Sequence, residues 1–201
     1  MLIQPITGPQ ISSDGNIASG VRGGKQGDLM VSELHGRYYE QTYRGNMFSV
    51  QTQGTGVTTT AALATTWTGL GISNPTGSGV NLVLNKFTCA QFAVGAAATI
   101  GIMGGVGVLN AGLTPQSRII GGGQVSKANA SASATISTPL LIATFGSVGS
   151  LATTGYGIEA GIIVDFEGSV IVPPGSFIAS YTAIVTTSAL QFGFAWEEVP
   201  V

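Results

Sequence analysis

Three runs near the C-terminus alternate apolar and polar side chains residue by residue. In 159–167, Ala160, Ile162, Val164 and Phe166 fall to one side and Glu159, Asp165 and Glu167 to the other. In 177–185, Phe177, Ala179, Tyr181, Ala183 and Val185 share a side, with Ser180 and Thr182 opposite. In 190–196, Leu190, Phe192, Phe194 and Trp196 alternate with Gln191, Gly193 and Ala195. A period of two sends successive side chains to opposite faces of an extended chain, and a helix cannot sort them that way. The runs therefore predict half-buried antiparallel strands. Pro173-Pro174-Gly175 separates two of them and reads as a turn, because proline cannot donate to a strand ladder.

Upstream, Phe48–Gln51, Val80–Val94, Thr99–Leu109 and Leu140–Phe145 are expected strands, with Tyr38–Tyr43 a further candidate. Within 80–94 the apolar phase slips at Asn85-Lys86, which predicts a bulge or bend. Thr58–Trp67 holds an Ala61-Ala62-Leu63-Ala64 core compatible with a helical turn, while its threonines favour extended chain. No run keeps a helical period over three turns, and no fixed-period repeat is present. Short strands punctuated by Gly and Pro belong to a sandwich, jelly roll or barrel. The expectation is an all-β fold, an antiparallel sandwich or jelly roll with an extended N-terminal arm. Residues 1–50 form the arm or irregular lead-in, with a possible short strand, and 51–201 the β domain.

Charge divides the chain. Asp14, Arg22, Lys25, Asp28, Glu33, Arg37, Glu40 and Arg44 are eight of its sixteen charges, all within residues 1–44. From Gly45 to Ile158 only Lys86, Arg118 and Lys127 are charged. Charged residues make up 8% of the whole, against about 25% in an ordinary globular domain. So few cannot keep a monomer's surface wet in the usual way. Either Thr, Ser, Asn and Gln cover the surface or other subunits do. The first 28 residues, rich in Gly, Pro, Ser and Gln, read as an arm that orders against a neighbour. A net charge of −2 offers no basic field for nucleic acid. Arg22, Lys25, Arg37 and Arg44 lie among four acids, which cancels their pull. The start, Met1-Leu2-Ile3-Gln4-Pro5, lacks the basic and apolar regions of a secretory signal. The uncharged stretch Phe92–Leu113 contains six glycines and is expected to be buried strand and turn, without membrane contact.

Catalysis needs convergent ionisable groups. The one histidine, His35, lies between Leu34 and Gly36 with no identified partner, and the one cysteine, Cys89, sits in an apolar run as a small buried hydrophobe. Asp165 and Glu167, with Glu159 further back, could do acid–base work or bind calcium, but a solvated strand face has the same pattern. Glu197-Glu198 reads as a solvated terminus or a polar contact with a neighbour. Gly121-Gly122-Gly123 and Gly155-Tyr156-Gly157 imitate phosphate loops without the strand, helix or Gly-Lys-Ser/Thr that such loops need, so turns explain them. Asn129-Ala130-Ser131 is a formal glycosylation sequon. No catalytic, cofactor-binding or metal-binding residue is expected, and no enzyme.

The segment Val170-Ile171-Val172-Pro173-Pro174-Gly175-Ser176-Phe177-Ile178-Ala179-Ser180-Tyr181, closing on Leu190-Gln191-Phe192-Gly193-Phe194-Ala195-Trp196-Glu197-Glu198-Val199-Pro200, resembles the ends of virion structural proteins of tailed bacteriophages. It is most similar to the jelly-roll decoration, or cement, proteins of the capsid surface. The resemblance implies a homotrimer, made in the host cytoplasm, that binds the major capsid protein on the virion and has no cofactor. The alternative is a phage tail, baseplate or receptor-binding component, for which Trp67 and the Tyr38, Tyr39, Tyr43 cluster would be glycan-contact candidates. A cupin-like metalloprotein would need a histidine cluster. A secreted module would need a signal peptide.

Overall fold

The computed structural model describes residues 36–54, 56–91, 93, 96–149 and 161–201. Residues 1–28 of the expected arm, His35, Gly155-Tyr156-Gly157 and Glu159 lie outside them. The chain divides into two compact units, Met1–Tyr39 and Glu40–Val201.

Tyr39–Tyr43 is a one-turn helix, α1, where a strand over Tyr38–Tyr43 was expected. The sequence around it says why. Gly45 adopts φ +79°, its N–H meets the Thr42 carbonyl at 2.9 Å, and the Asn46 N–H meets that of Gln41 at 3.0 Å. This pair of bonds closes a helix C-terminus and needs glycine at the left-handed position. Arg44 also reaches Glu40, one turn back, at 2.8 Å.

Among the described residues eleven strands follow. They are β1 (Met47–Gln51), β2 (Val57–Thr59), β3 (Thr66–Asn74), β4 (Val80–Gln91), β5 (Ala98–Val106) and β6 (Gln116–Ser117), then β7 (Asn129–Thr135), β8 (Leu140–Val148), β9 (Ile162–Val172), β10 (Ser176–Thr182) and β11 (Thr186–Pro200). All pairings are antiparallel. One sheet has the order β6-β1-β11-β4-β9, with β2 also on β11, and the other the order β7-β3-β10-β5-β8. The all-β sandwich expected from the alternation is present. β1 spans the end of the lead-in, where a short strand was allowed, and pairs along its whole length with β11.

Between the sheets, Leu70, Ile72, Ile100, Ile102 and Ile178 meet Leu82, Leu84, Phe87, Phe192, Phe194 and Trp196, all at 0–1% exposure. The Phe87 ring lies 5.1 Å from Phe194 and 5.6 Å from Phe145. Burying one such side chain contributes about 1.5–3 kcal/mol, so this layer carries most of the fold. The alternation in 190–196 put these aromatics on one face, and they are on it. The phase slip at Asn85 is a bulge. Ala195 pairs with Lys86 and Trp196 with Leu84, which leaves Asn85 over. Opposite it, β9 bends at Glu167 (φ +52°) and Gly168 (φ +82°).

β10 departs from the half-buried expectation. Ser180 and Thr182 are buried at 2%, not solvated. They are satisfied inside. Ser180 Oγ accepts the Leu70 N–H at 3.0 Å, and the Thr182 hydroxyl donates to Thr59 Oγ1 at 2.8 Å. Thr59 Oγ1 lies 2.8 Å from Thr186 Oγ1 in turn. On its other face β10 sets Phe177 and Ala179 into a second apolar layer with Trp67, Met103, Leu109 and Ile136. Pro173-Pro174-Gly175 turns the chain from one sheet to the other, with Gly175 at φ +82°.

Candidate functional site

Among the described residues the ionisable groups picked out from the sequence do not converge. Cys89 is 1% exposed, and burial pushes its thiol up to about 12, which leaves no thiolate for nucleophilic work. Asp165 and Glu167 lie on the outward side of β9. Asp165 Oδ1 is 3.5 Å from Lys86 Nζ, both half-exposed, so the pair is a surface contact of small energetic weight. Among the described residues no three His, Cys, Asp or Glu side chains cluster to hold a metal ion. Gly121 turns at φ +76° with no helix after it. Asn129 opens β7 and donates from Nδ2 to the Leu109 carbonyl at 3.1 Å.

Glu198 corrects the picture of a solvated terminus. It is 7% exposed and takes the Ser126 hydroxyl at 2.6 Å and the Lys127 N–H at 2.8 Å on Oε1. Its partners come from the same chain, on the stretch leading into β7, so the residue ties the β6–β7 connection to β11. Its neighbour Glu197 faces the other way, and partial burial raises its carboxyl above the ordinary range. Trp67, a glycan-contact candidate in the sequence, is 2% exposed and donates its indole N–H to the Ser180 carbonyl at 3.1 Å. Tyr39 and Tyr43 are exposed.

Two surfaces remain. One is a dimple of about 40 Å³ on the outer face of the first sheet, ringed by Ser49, Gln51, Lys86, Thr88 and Arg118 with Gly193 at its floor. Its size suits a single small polar group. The other is the flank where β8 and β9, the last strands of their sheets, run side by side. Phe145 of β8 meets Phe166 of β9 edge-on at 5.8 Å. Outside that contact Leu140, Ile142 and Ile171 are 69%, 48% and 54% exposed. Between them opens a cleft of about 240 Å³, lined by Gly104, Ile142, Val170, Ile171, Pro173 and Ile178 among others. It can bind by removing apolar surface from water. The strand at Leu140–Phe145 was expected, but not the exposure of its aliphatics. The signal was available in Leu140-Leu141-Ile142, three aliphatics in a row, which no half-buried strand can hide on one face.

Comparison with protein-family models, with curated proteins and with solved structures finds no match to this chain.

Proposed function

We propose that this chain is a non-enzymatic virion structural protein that forms trimers and decorates a bacteriophage capsid by binding the major capsid protein. One observation carries the reading: a β sandwich whose exposed flank is aliphatic, in a chain with three charges between Gly45 and Ile158. Interface cores are depleted of charge, and monomers seldom expose such patches. The strand order supports a jelly roll as the finer form of the fold. Leaving aside β2, β6 and β7, the order β1-β11-β4-β9 faces β3-β10-β5-β8. That is eight strands in two sheets of four, with nearly every connection crossing between sheets, as two Greek keys require. Burial of Trp67 removes one aromatic on which the receptor-binding alternative would rest. In this reading residues 1–44 grip the shell, through many weak contacts on each of several copies. Co-sedimentation of the purified protein with undecorated capsids tests it. The full chain should pellet with the shells, and a form lacking residues 1–28 should stay in solution as an intact oligomer. Normal capsid binding by the shortened form would refute the arm's part, and no binding by the full chain would refute decoration.

A further inference from the structure

Sheet edges are unpaired templates, and folded proteins guard them with charge, proline, bulges or brevity. The ends of the two sheets here are guarded unequally. β6 is two residues long. β7 is built from small and polar residues, Asn129–Thr135. β9 carries Asp165 and Glu167 and is bent at Glu167-Gly168. β8 is nine residues, Leu140–Val148, with no charge and no proline, and register shifts against β5 are its one protection. Ile142 of β8 and Ile171 of β9 line one cleft.

We infer that the β8–β9 flank is the surface through which copies of this chain associate. The inference rests on the self-association in the proposed function and names its residues. Area is the first support. Leu140, Ile142 and Ile171, exposed by 48–69%, present on the order of 300 Å² per copy. Two flanks bury roughly twice that, to which backbone and polar rim add toward the roughly 1,200 Å² at which specific interfaces begin. Charge is the second. Lys86 already neutralises Asp165, and β8 has no charge to repel its own copy. A β9-to-β9 contact would set Asp165 and Glu167 against themselves, so β8 with the cleft beside Ile142 and Ile171 forms the centre. A charged partner would find no counter-charge on β8, whereas a second copy offers the same aliphatic surface. The cleft of about 240 Å³ gives a neighbour's aliphatic side chains a recess to enter.

The test measures the mass of the full-length chain by light scattering over a concentration series. Wild type should run as a multiple of 20.3 kDa. Leu140→Lys with Ile171→Lys should fall toward the single-chain mass, the association midpoint rising roughly tenfold or more. Ile120→Lys, at a site 96% exposed away from the flank, should leave the oligomer unchanged. Protection of Cys89 from a thiol reagent reports that each variant is folded. Should the lysine pair lose that protection, Leu140→Thr with Ile171→Thr, which favours strand, is read in the same way. A folded flank variant with the wild-type mass overturns the inference and leaves the proposed assembly standing. A wild-type chain that is monomeric at every concentration overturns both. A monomer that floats with phosphatidylcholine vesicles assigns the flank to lipid and overturns the inference too.

Discussion

The two sheets meet in one core but differ on their outer faces. The first shows water a polar face, with Ser49, Gln51, Lys86 and Thr88 ringing a shallow dimple. The second is covered on its outer side by its own chain. Leu109 and Ile136, from segments beyond β5 and β7, close over Trp67, Met103, Phe177 and Ala179. The Leu109 N–H is held by Ser73 Oγ at 2.9 Å and the Ile136 N–H by the Thr65 carbonyl at 2.8 Å. A face sealed by its own connections is not offered to a partner.

Glycine separates the sheets most sharply. A Cβ on Gly101 of β5 would stand 2.3 Å from the Ala143 carbonyl oxygen, a backbone atom of the adjacent strand. A Cβ on Gly193 of β11 would stand 2.5 Å from Thr88 Oγ1 and 3.1 Å from Gln51 Cγ, side-chain atoms on the wet face that can swing away. Gly101→Ala should cost about 2–3 kcal/mol or more, since strands must part to admit the methyl group. Gly193→Ala should cost less than about 1 kcal/mol. Urea unfolding of both variants checks the contrast, and equal losses would remove the distinction between a tight sheet and a yielding one.

The same difference decides what could be read from the sequence. β11 and β9 alternate because one face is wet, so 190–196 and 162–166 sort as predicted. The Asn85 bulge left its trace as a slip in the same alternation. β3 was not singled out. Its Gly69 and Gly71 accommodate the Trp67 ring, 2.8 and 3.1 Å from where their Cβ atoms would stand, and that fit depends on the fold. β7, Asn-Ala-Ser-Ala-Ser-Ala-Thr, has too little apolar contrast to show a face. Ser180 and Thr182 looked solvated because nothing local reveals Leu70 and Thr59 as their partners. At α1 the stop signal is Gly45, which the strand candidate over Tyr38–Tyr43 leaves out of account. The candidate site was legible only as a lack of charge, since the β8–β9 flank arises when two distant segments become neighbouring edges.

The two tryptophans sharpen the comparison next. Both are buried, at 2% for Trp67 and 0% for Trp196. Trp67 donates to Ser180, while the Trp196 indole N–H meets no acceptor among the described residues. Replacement by Phe removes similar volume at each site. Only Trp67→Phe also strands a buried carbonyl, which costs about 1–3 kcal/mol. It should therefore destabilise by that much more than Trp196→Phe in thermal or urea unfolding. Equal losses would mean that the Trp67 bond contributes nothing.

Glu198 tests the seam between the sheets. Glu198→Ala deprives the Ser126 hydroxyl and the Lys127 N–H of their acceptor, and should cost about 1–2 kcal/mol. Glu198→Gln keeps an oxygen in place and should restore most of the loss. If Gln is no better than Ala, the negative charge and not the hydrogen-bond geometry holds the β6–β7 connection.

The smallest expected effect is on the wet side, at Glu197. Partial burial raises its carboxyl above the unfolded value, so its protonated form is the one that folding favours. Its contribution to stability is present below the ordinary carboxyl range, near pH 4.3 (approximately), and is lost as pH rises through the folded value. Glu197→Gln should thus raise the unfolding midpoint at neutral pH and leave it unchanged in acid. Cys89 supplies the contrast from inside. Its thiol is displaced upward to about 12 by the same cause, so its contribution persists through neutral pH and fades above the unfolded thiol value, roughly 8.5. Unfolding midpoints between pH 4 and pH 10 (about the span of the two transitions) separate them. The Glu197 effect should appear across the acid limb and the Cys89 effect only at the alkaline end, where Cys89→Ala flattens the decline. An alkaline decline identical in wild type and Cys89→Ala would show that the thiol is not its source.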